Sequence, residues 1–194
     1  VGGGDGGTVR EVIKHPSVKR VVLAELDEGV IAASTKYLPS IAKGFSDPRV
    51  KIEITDGTLY VREHRNEFDV VIIDSTDPVG PGEVLFTKEF YREVFKSLKE
   101  QGVMVAQTES PVLDRHLIPK LWNYLKNTFP LVRLYLGVVP TYIGGHWTWI
   151  LASKGPDPLV VPAERFVALE TKYYTPEIHR AAFVLPPYVS ELLK

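Results

Sequence analysis

The sequence predicts an α/β fold: an open, mostly parallel sheet, an antiparallel terminal hairpin and a C-terminal helical extension. Three observations carry this. A glycine turn, Val1–Gly7, runs into a helical apolar pattern over Thr8–Lys14. Short apolar runs at Arg20–Leu26, Val50–Ile54, Phe68–Ile73 and Gly102–Gln107 end in polar strand exits and alternate with helical stretches. Two last runs, Leu131–Val139 and Trp147–Ala152, are joined by the short connection Pro140–His146, which suits an antiparallel hairpin at a sheet edge.

A chain of 194 residues, 44% hydrophobic and 24% charged, is large enough for one sizeable core. No apolar stretch approaches the roughly 20 residues that span a bilayer, and the N-terminus has no signal-peptide pattern. The absence of cysteine excludes disulfides and thiolate catalysis and fits a cytoplasmic protein. A net charge of -1 with no basic run argues against nucleic acid or an anionic membrane as partner.

Taken in order, Gly2, Gly4 and Gly7 fit G-x-G-x-x-G, so the backbone can approach a ligand closely. The strand that leads into such a turn is expected upstream of Val1, in the middle of the sheet. Asp5 inside the turn would repel a pyrophosphate and suits a ligand with positive charge; its competing role is to cap the next helix. Glu25, about twenty residues beyond the glycines, can accept two hydrogen bonds from a ribose diol, while Asp27 reads as the N-cap of a helix over Glu28–Tyr37. Asp56-Gly57 can meet a base through a carboxylate and a backbone N–H, or form a simple turn.

The stretch Val71-Ile72-Ile73-Asp74-Ser75-Thr76-Asp77-Pro78-Val79-Gly80-Pro81 organises the rest. Its apolar run stops at two acids three residues apart, followed by a Pro/Gly loop, and ligands in open α/β sheets bind outside such carboxyl ends of strands. Thr87 reads as the cap of a helix over Lys88–Leu98, with Phe86 packing back on it, and a further helix is expected over Leu117–Asn127. After Lys154 the composition shifts. Residues 1–154 therefore read as the sheet unit and 155–194 as an extension packed on it, with short helices over Pro162–Glu170 and Pro186–Leu193.

Asp5, Glu25, Asp56, Asp74 and Asp77, with Glu109 nearby, form an acidic crevice without Lys or Arg. It suits a nucleoside carrying a cationic group together with a cationic second substrate. A metal is the rival explanation of clustered carboxylates, but no basic residue is in sight for the phosphates that usually accompany Mg²⁺. The five histidines lack ligand spacing, and His146, beside Trp147, reads as a packing or rim residue.

Together, Gly2–Gly7, Glu25, Asp56-Gly57, Asp74–Pro81, Pro140-Thr141-Tyr142, Tyr173-Tyr174 and His179–Pro186 resemble the spermidine synthase family of aminopropyltransferases over nearly the whole chain. The resemblance implies a Rossmann-like, class I methyltransferase-like sheet. It would bind decarboxylated S-adenosylmethionine as co-substrate, with no tightly bound cofactor and no metal, and move its aminopropyl group to putrescine, releasing methylthioadenosine. By the same resemblance Gly4 and Pro81 belong to the nucleoside site, Glu25 holds the ribose, Asp56 and Gly57 the adenine, and Asp5 the aminopropyl ammonium. Asp74 is the implied proton acceptor, and Asp77 and Tyr142 bind and aim the diamine. A homodimer or homotetramer is also implied, as is a small N-terminal β domain with no counterpart in this sequence. Ile143-Gly144-Gly145 departs from the Pro-Ser-Gly that many members carry after the tyrosine, which leaves agmatine, cadaverine or spermidine open as acceptor. A small-molecule methyltransferase and a non-catalytic nucleoside or polyamine binding module are the rival readings, and sites rather than folds separate them.

Overall fold

The computed structural model describes residues 1–194, save the side chains of Pro81 and Ala163; the expectation placed on Pro81 lies outside the described residues. Strands β1 (Val21–Glu25) and β2 (Val50–Ile54) pair in parallel, Val21 opposite Val50 and Glu25 opposite Ile54. A second group holds β3 (Phe68–Ile73), β4 (Leu98–Gln107), β5 (Leu131–Val138) and β6 (His146–Ser153) in the order β3-β4-β6-β5. The β3–β4 pair is parallel, and β6 runs antiparallel to both β4 and β5. The hairpin thus sits at the edge, as its short connection requires.

Val1 and Gly2 join the two groups. The Val1 nitrogen donates to Ile72 O at 2.8 Å, the Gly2 N–H to Ala24 O at 3.0 Å, and the Asp74 N–H to Val1 O at 2.9 Å. These two residues therefore occupy the middle of the sheet between β1 and β3, the central position expected for the strand of the glycine turn.

Helices α1 (Gly7–Val12), α2 (Glu28–Tyr37), α3 (Pro39–Ala42), α4 (Gly57–Glu63), α5 (Lys88–Ser97) and α6 (Leu117–Lys126) connect the strands. Asp27 caps α2 by accepting from Gly29 N at 2.7 Å, and Thr87 caps α5 by accepting from Phe90 N at 3.3 Å, each using an otherwise unpaired helix donor. Alternation along β3 and β4 turns Val71, Ile73, Met104 and Ala106 to one face. There they bury against Phe90, Tyr91 and Val94 of α5 and Ile118, Leu121 and Leu125 of α6.

Three elements depart from the sequence reading. Strand β4 begins at Leu98 rather than Gly102, because a register shift between Phe68 and Val70 lets Phe68 pair with Leu98. Gly102 permits the shift, since a Cβ there would lie 2.8 Å from that of Leu98. Over Pro162–Glu170 only one 3₁₀ turn, Ala163–Arg165, forms. Tertiary contacts override helix propensity here: Phe166 packs edge-on against His179, and Glu170 O accepts from Lys14 Nζ at 3.0 Å. The helix lies further on, as α7 (Pro176–Ala182), capped by Thr175 and followed by α8 (Pro187–Ser190) and a 3₁₀ turn over Glu191–Leu193.

Candidate active site

The acids singled out in the sequence stand at consecutive strand exits: Glu25 at the end of β1, Asp56 after β2, Asp74 after β3, and Glu109 just past β4. The loop between β5 and β6 brings Tyr142 to the same end. Parallel strands deliver their C-terminal ends together, which gathers charges far apart in sequence.

The glycine turn is shaped by what lies against it. Gly2 and Gly3 have φ of +69° and +77°, in the left-handed region that disfavours side chains. A Cβ on Gly3 would lie 2.9 Å from Asp74 Oδ2, and one on Gly4 2.8 Å from Glu25 Oε2. Both carboxylates therefore rest directly over the turn. Glu25 Oε1 accepts from Asp27 N at 3.0 Å, which aims the carboxylate. Asp5 is exposed and accepts from Gly7 N at 3.0 Å through Oδ1, so it steadies the start of α1 while remaining at the surface of the turn.

Asp56 is the N-cap of α4. Its Oδ1 accepts from both the N–H and the hydroxyl of Thr58, each at 2.7 Å. Gly57, the first residue of α4, presents one of the amides that a helix leaves unpaired at its N-terminus. A Cβ on Gly57 would collide with the Val1 side chain, so the start of α4 and the glycine turn abut.

Asp74 Oδ2 accepts from Thr8 Oγ1 at 2.6 Å, a link from the first turn of α1 to the exit of β3. Next to it, Ser75 Oγ is buried with no partner among the described residues, a donor the chain leaves unused. Asp77 is exposed on the loop beyond. Its electrostatic neighbour is Glu109, which is 3% exposed and held at φ +71°. Burial pushes the Glu109 carboxyl up, and Asp77 and Asp114 push the same way against the opposing donation from Gln107.

Two residues outside the sequence-derived set complete the site. The Gln107 amide donates to Glu109 Oε1 at 2.7 Å and to Ser75 O at 3.2 Å. Its oxygen accepts from Trp147 Nε1 at 2.9 Å, and the Tyr142 ring lies 4.5 Å from that of Trp147. Gln107 thus ties the β3 exit, the β4 exit and the hairpin together. A polar residue closing an apolar strand was the available signal for Gln107, whereas Trp147 was hidden within an aromatic strand pattern.

None of the nine ion pairs among the described residues engages Asp5, Glu25, Asp56, Asp74, Asp77 or Glu109. Among the described residues, no Lys or Arg side chain neutralises the crevice by an ion pair. Among the described residues no three His, Asp or Glu side chains are grouped to hold a metal ion, and no helix is long and apolar enough to cross a membrane.

Comparison with known proteins agrees with this geometry. The spermine/spermidine synthase domain family matches residues 1–160. The polyamine aminopropyltransferase of Thermoanaerobacter sp. (strain X514) is 56% identical over 192 residues, covering 99% of this chain and 69% of that protein. The polyamine aminopropyltransferase of Moorella thermoacetica is 53% identical over 194 residues, covering all of this chain and 69% of that protein. Among solved structures, a spermidine synthase in complex with the transition-state analogue AdoDATO superposes with a TM-score of 0.95 at 47% identity, across 99% of this chain and 67% of that one. The spermidine synthase of Thermotoga maritima gives 0.93 at 46% identity, across 99% and 66%. With its fold and its sequence both shared with these proteins, the chain belongs to the spermine/spermidine synthase family.

Proposed function

We propose that the protein transfers the aminopropyl group of decarboxylated S-adenosylmethionine to putrescine, giving spermidine and methylthioadenosine. The carrying observation is the row of strand-end carboxylates without Lys or Arg partners, one of which, Asp74, is oriented by Thr8 beside the glycine turn.

In this reading Glu25, lying over Gly4, takes the ribose hydroxyls, and Asp56 with the Gly57 amide takes the adenine. Asp5 meets the ammonium of the aminopropyl group. Asp77 and Tyr142 hold the diamine, with buried Glu109 adding negative charge behind Asp77. The amine nitrogen forms a bond to the aminopropyl carbon as the carbon–sulfur bond breaks, and the sulfonium leaves as a neutral thioether, so no acid catalyst is required. The proton lost by the amine goes to Asp74. An aliphatic amine with a pKa near 10 is neutral in roughly one molecule per thousand at pH 7, so delivering the free base contributes about 4 kcal/mol. The remainder comes from alignment, with nitrogen, carbon and sulfur in line at about 3 to 3.5 Å.

The same proposal treats residues 1–154 as the catalytic unit and 155–194 as its extension, in a cytoplasmic homodimer or homotetramer. Light scattering on the purified protein tests the assembly. For the chemistry, Asp74→Asn is expected to lower turnover about a thousandfold while donor affinity, measured by calorimetry, stays within about threefold. Near-normal turnover in that variant would remove Asp74 from the role. Parallel assays with agmatine, cadaverine and spermidine define the acceptor, and the product mass separates aminopropyl from methyl transfer.

A further inference from the structure

The C-terminal extension packs on the edge strand β5 through α7 and enters the core through α8. On one face Phe183, at the end of α7, packs 5.4 Å from Tyr135, which stacks on Trp149 of β6. The opposite face carries Val132, Leu134 and Ile150, and the core on that side includes the fully buried Val189 of α8. From this anchored helix the neighbouring Tyr188 reaches the hairpin, where its hydroxyl lies 3.1 Å from Nδ1 of His146.

His146 is the first residue of β6, opposite Val138 and immediately before Trp147, the residue against which Tyr142 lies. The loop between the strands holds its own shape through main-chain bonds, Val139 N–H to Gly145 O at 2.8 Å and Tyr142 N–H to Val139 O and Gly145 N–H to Tyr142 O at 3.0 Å each, but little else packs on it. Gly144 and Gly145 have φ of +85° and +70°, with open space around both, and Tyr142 and Ile143 are exposed. Its orientation therefore depends on its stem.

We propose that Tyr188 and His146 are positioning residues: their hydrogen bond fixes the stem of the β5–β6 loop and so aims Tyr142 at the diamine. This rests on the assignment of Tyr142 to the diamine site. Through this bond the extension acts on acceptor binding from outside the crevice, whereas neither Tyr188 nor His146 touches the glycine turn or β1 that build the donor site.

Steady-state kinetics with putrescine and decarboxylated S-adenosylmethionine tests this. Tyr188→Phe and His146→Leu should each raise KM for putrescine about fivefold, the size of one neutral hydrogen bond, with kcat within twofold and KM for the donor unchanged. The double variant should be no worse than either single one, and His146→Asn, which keeps an acceptor for the tyrosine hydroxyl, should restore the wild-type value. An unchanged putrescine KM in Tyr188→Phe, or an equal rise in both KM values, overturns the proposal. Tyr142→Phe separates the two levels. If it raises putrescine KM while Tyr188→Phe does not, the brace alone fails; if it leaves putrescine KM unchanged, the assignment of Tyr142 falls and the brace falls with it.

Discussion

Glu109 shows how much one residue can be asked to bear. It is a buried carboxylate in a left-handed backbone conformation, and its charge is satisfied by a single amide from Gln107. Because burial raises its folded-state pKa, the native state holds a proton at pH values where the unfolded chain has released it. The stability linked to this group is thus fully present below the ordinary glutamate value of about 4.3 and is lost as pH rises through the elevated one. Glu109→Gln should therefore be more stable than wild type at neutral pH, and the two melting temperatures should converge in acid; thermal melts across pH 4 to 8 provide the check. At Asp74 the supporting contact is Thr8. Thr8→Val keeps the shape but removes the 2.6 Å donor, so turnover should fall about tenfold with donor KM unchanged. Glu25, Asp56 and Asp74 were legible in the sequence because each closes a largely apolar strand, and Asp5 because it sits inside a glycine turn. Gln107 was not, since its importance lies in four simultaneous hydrogen bonds, two of them to Ser75 and Trp147, which are remote along the chain.

At the level of elements, local signals and packing decide the outcome in different places. The α2 and α5 boundaries could be read from Asp27 and Thr87, whose side chains supply the caps directly. Helix α7 carried the same kind of signal, Thr175-Pro176-Glu177, with Thr175 Oγ1 accepting from Ile178 N at 3.2 Å. The sequence reading put its helix earlier, over Pro162–Glu170, where Phe166 and Glu170 are held by long-range partners instead. Helix α4 escaped for a related reason: Asp56 was weighed as a ligand or turn residue, while in the fold it also caps a helix. Packing dominates in α6, where Ile118, Leu121 and Leu125 are fully buried along one face. Leu121→Ala should cost about 3 kcal/mol, measurable by urea denaturation, by leaving a cavity between α6 and the sheet.

For the whole molecule the governing quantity is where charge sits, not its sum. A net charge of -1 conceals a crevice whose acids pair with no lysine or arginine among the described residues, while lysines and arginines form their pairs elsewhere. Such a site favours cations and rejects added negative charge. Decarboxylated S-adenosylmethionine should bind in preference to the intact form, whose carboxylate would approach Asp5, and Asp5→Asn should narrow that preference by about tenfold in calorimetric titrations of both nucleosides. Global topology was readable because glycine turn, acid-ended strands and hairpin occur in one order. The cross-links among strand exits were not, because sequence spacing carries no information on which loops touch.

The seam through Val1 and Gly2 has one more consequence. Asp74 is joined through its own main chain to the segment that opens into the glycine turn, by the Val1 carbonyl and the Gly2 bridge. Turn and carboxylate are thereby portions of one ladder, and their separation is set by the sheet rather than by the surrounding loops. On the proposed assignment, donor and proton acceptor inherit their register from the sheet, and only the incoming amine must find its place.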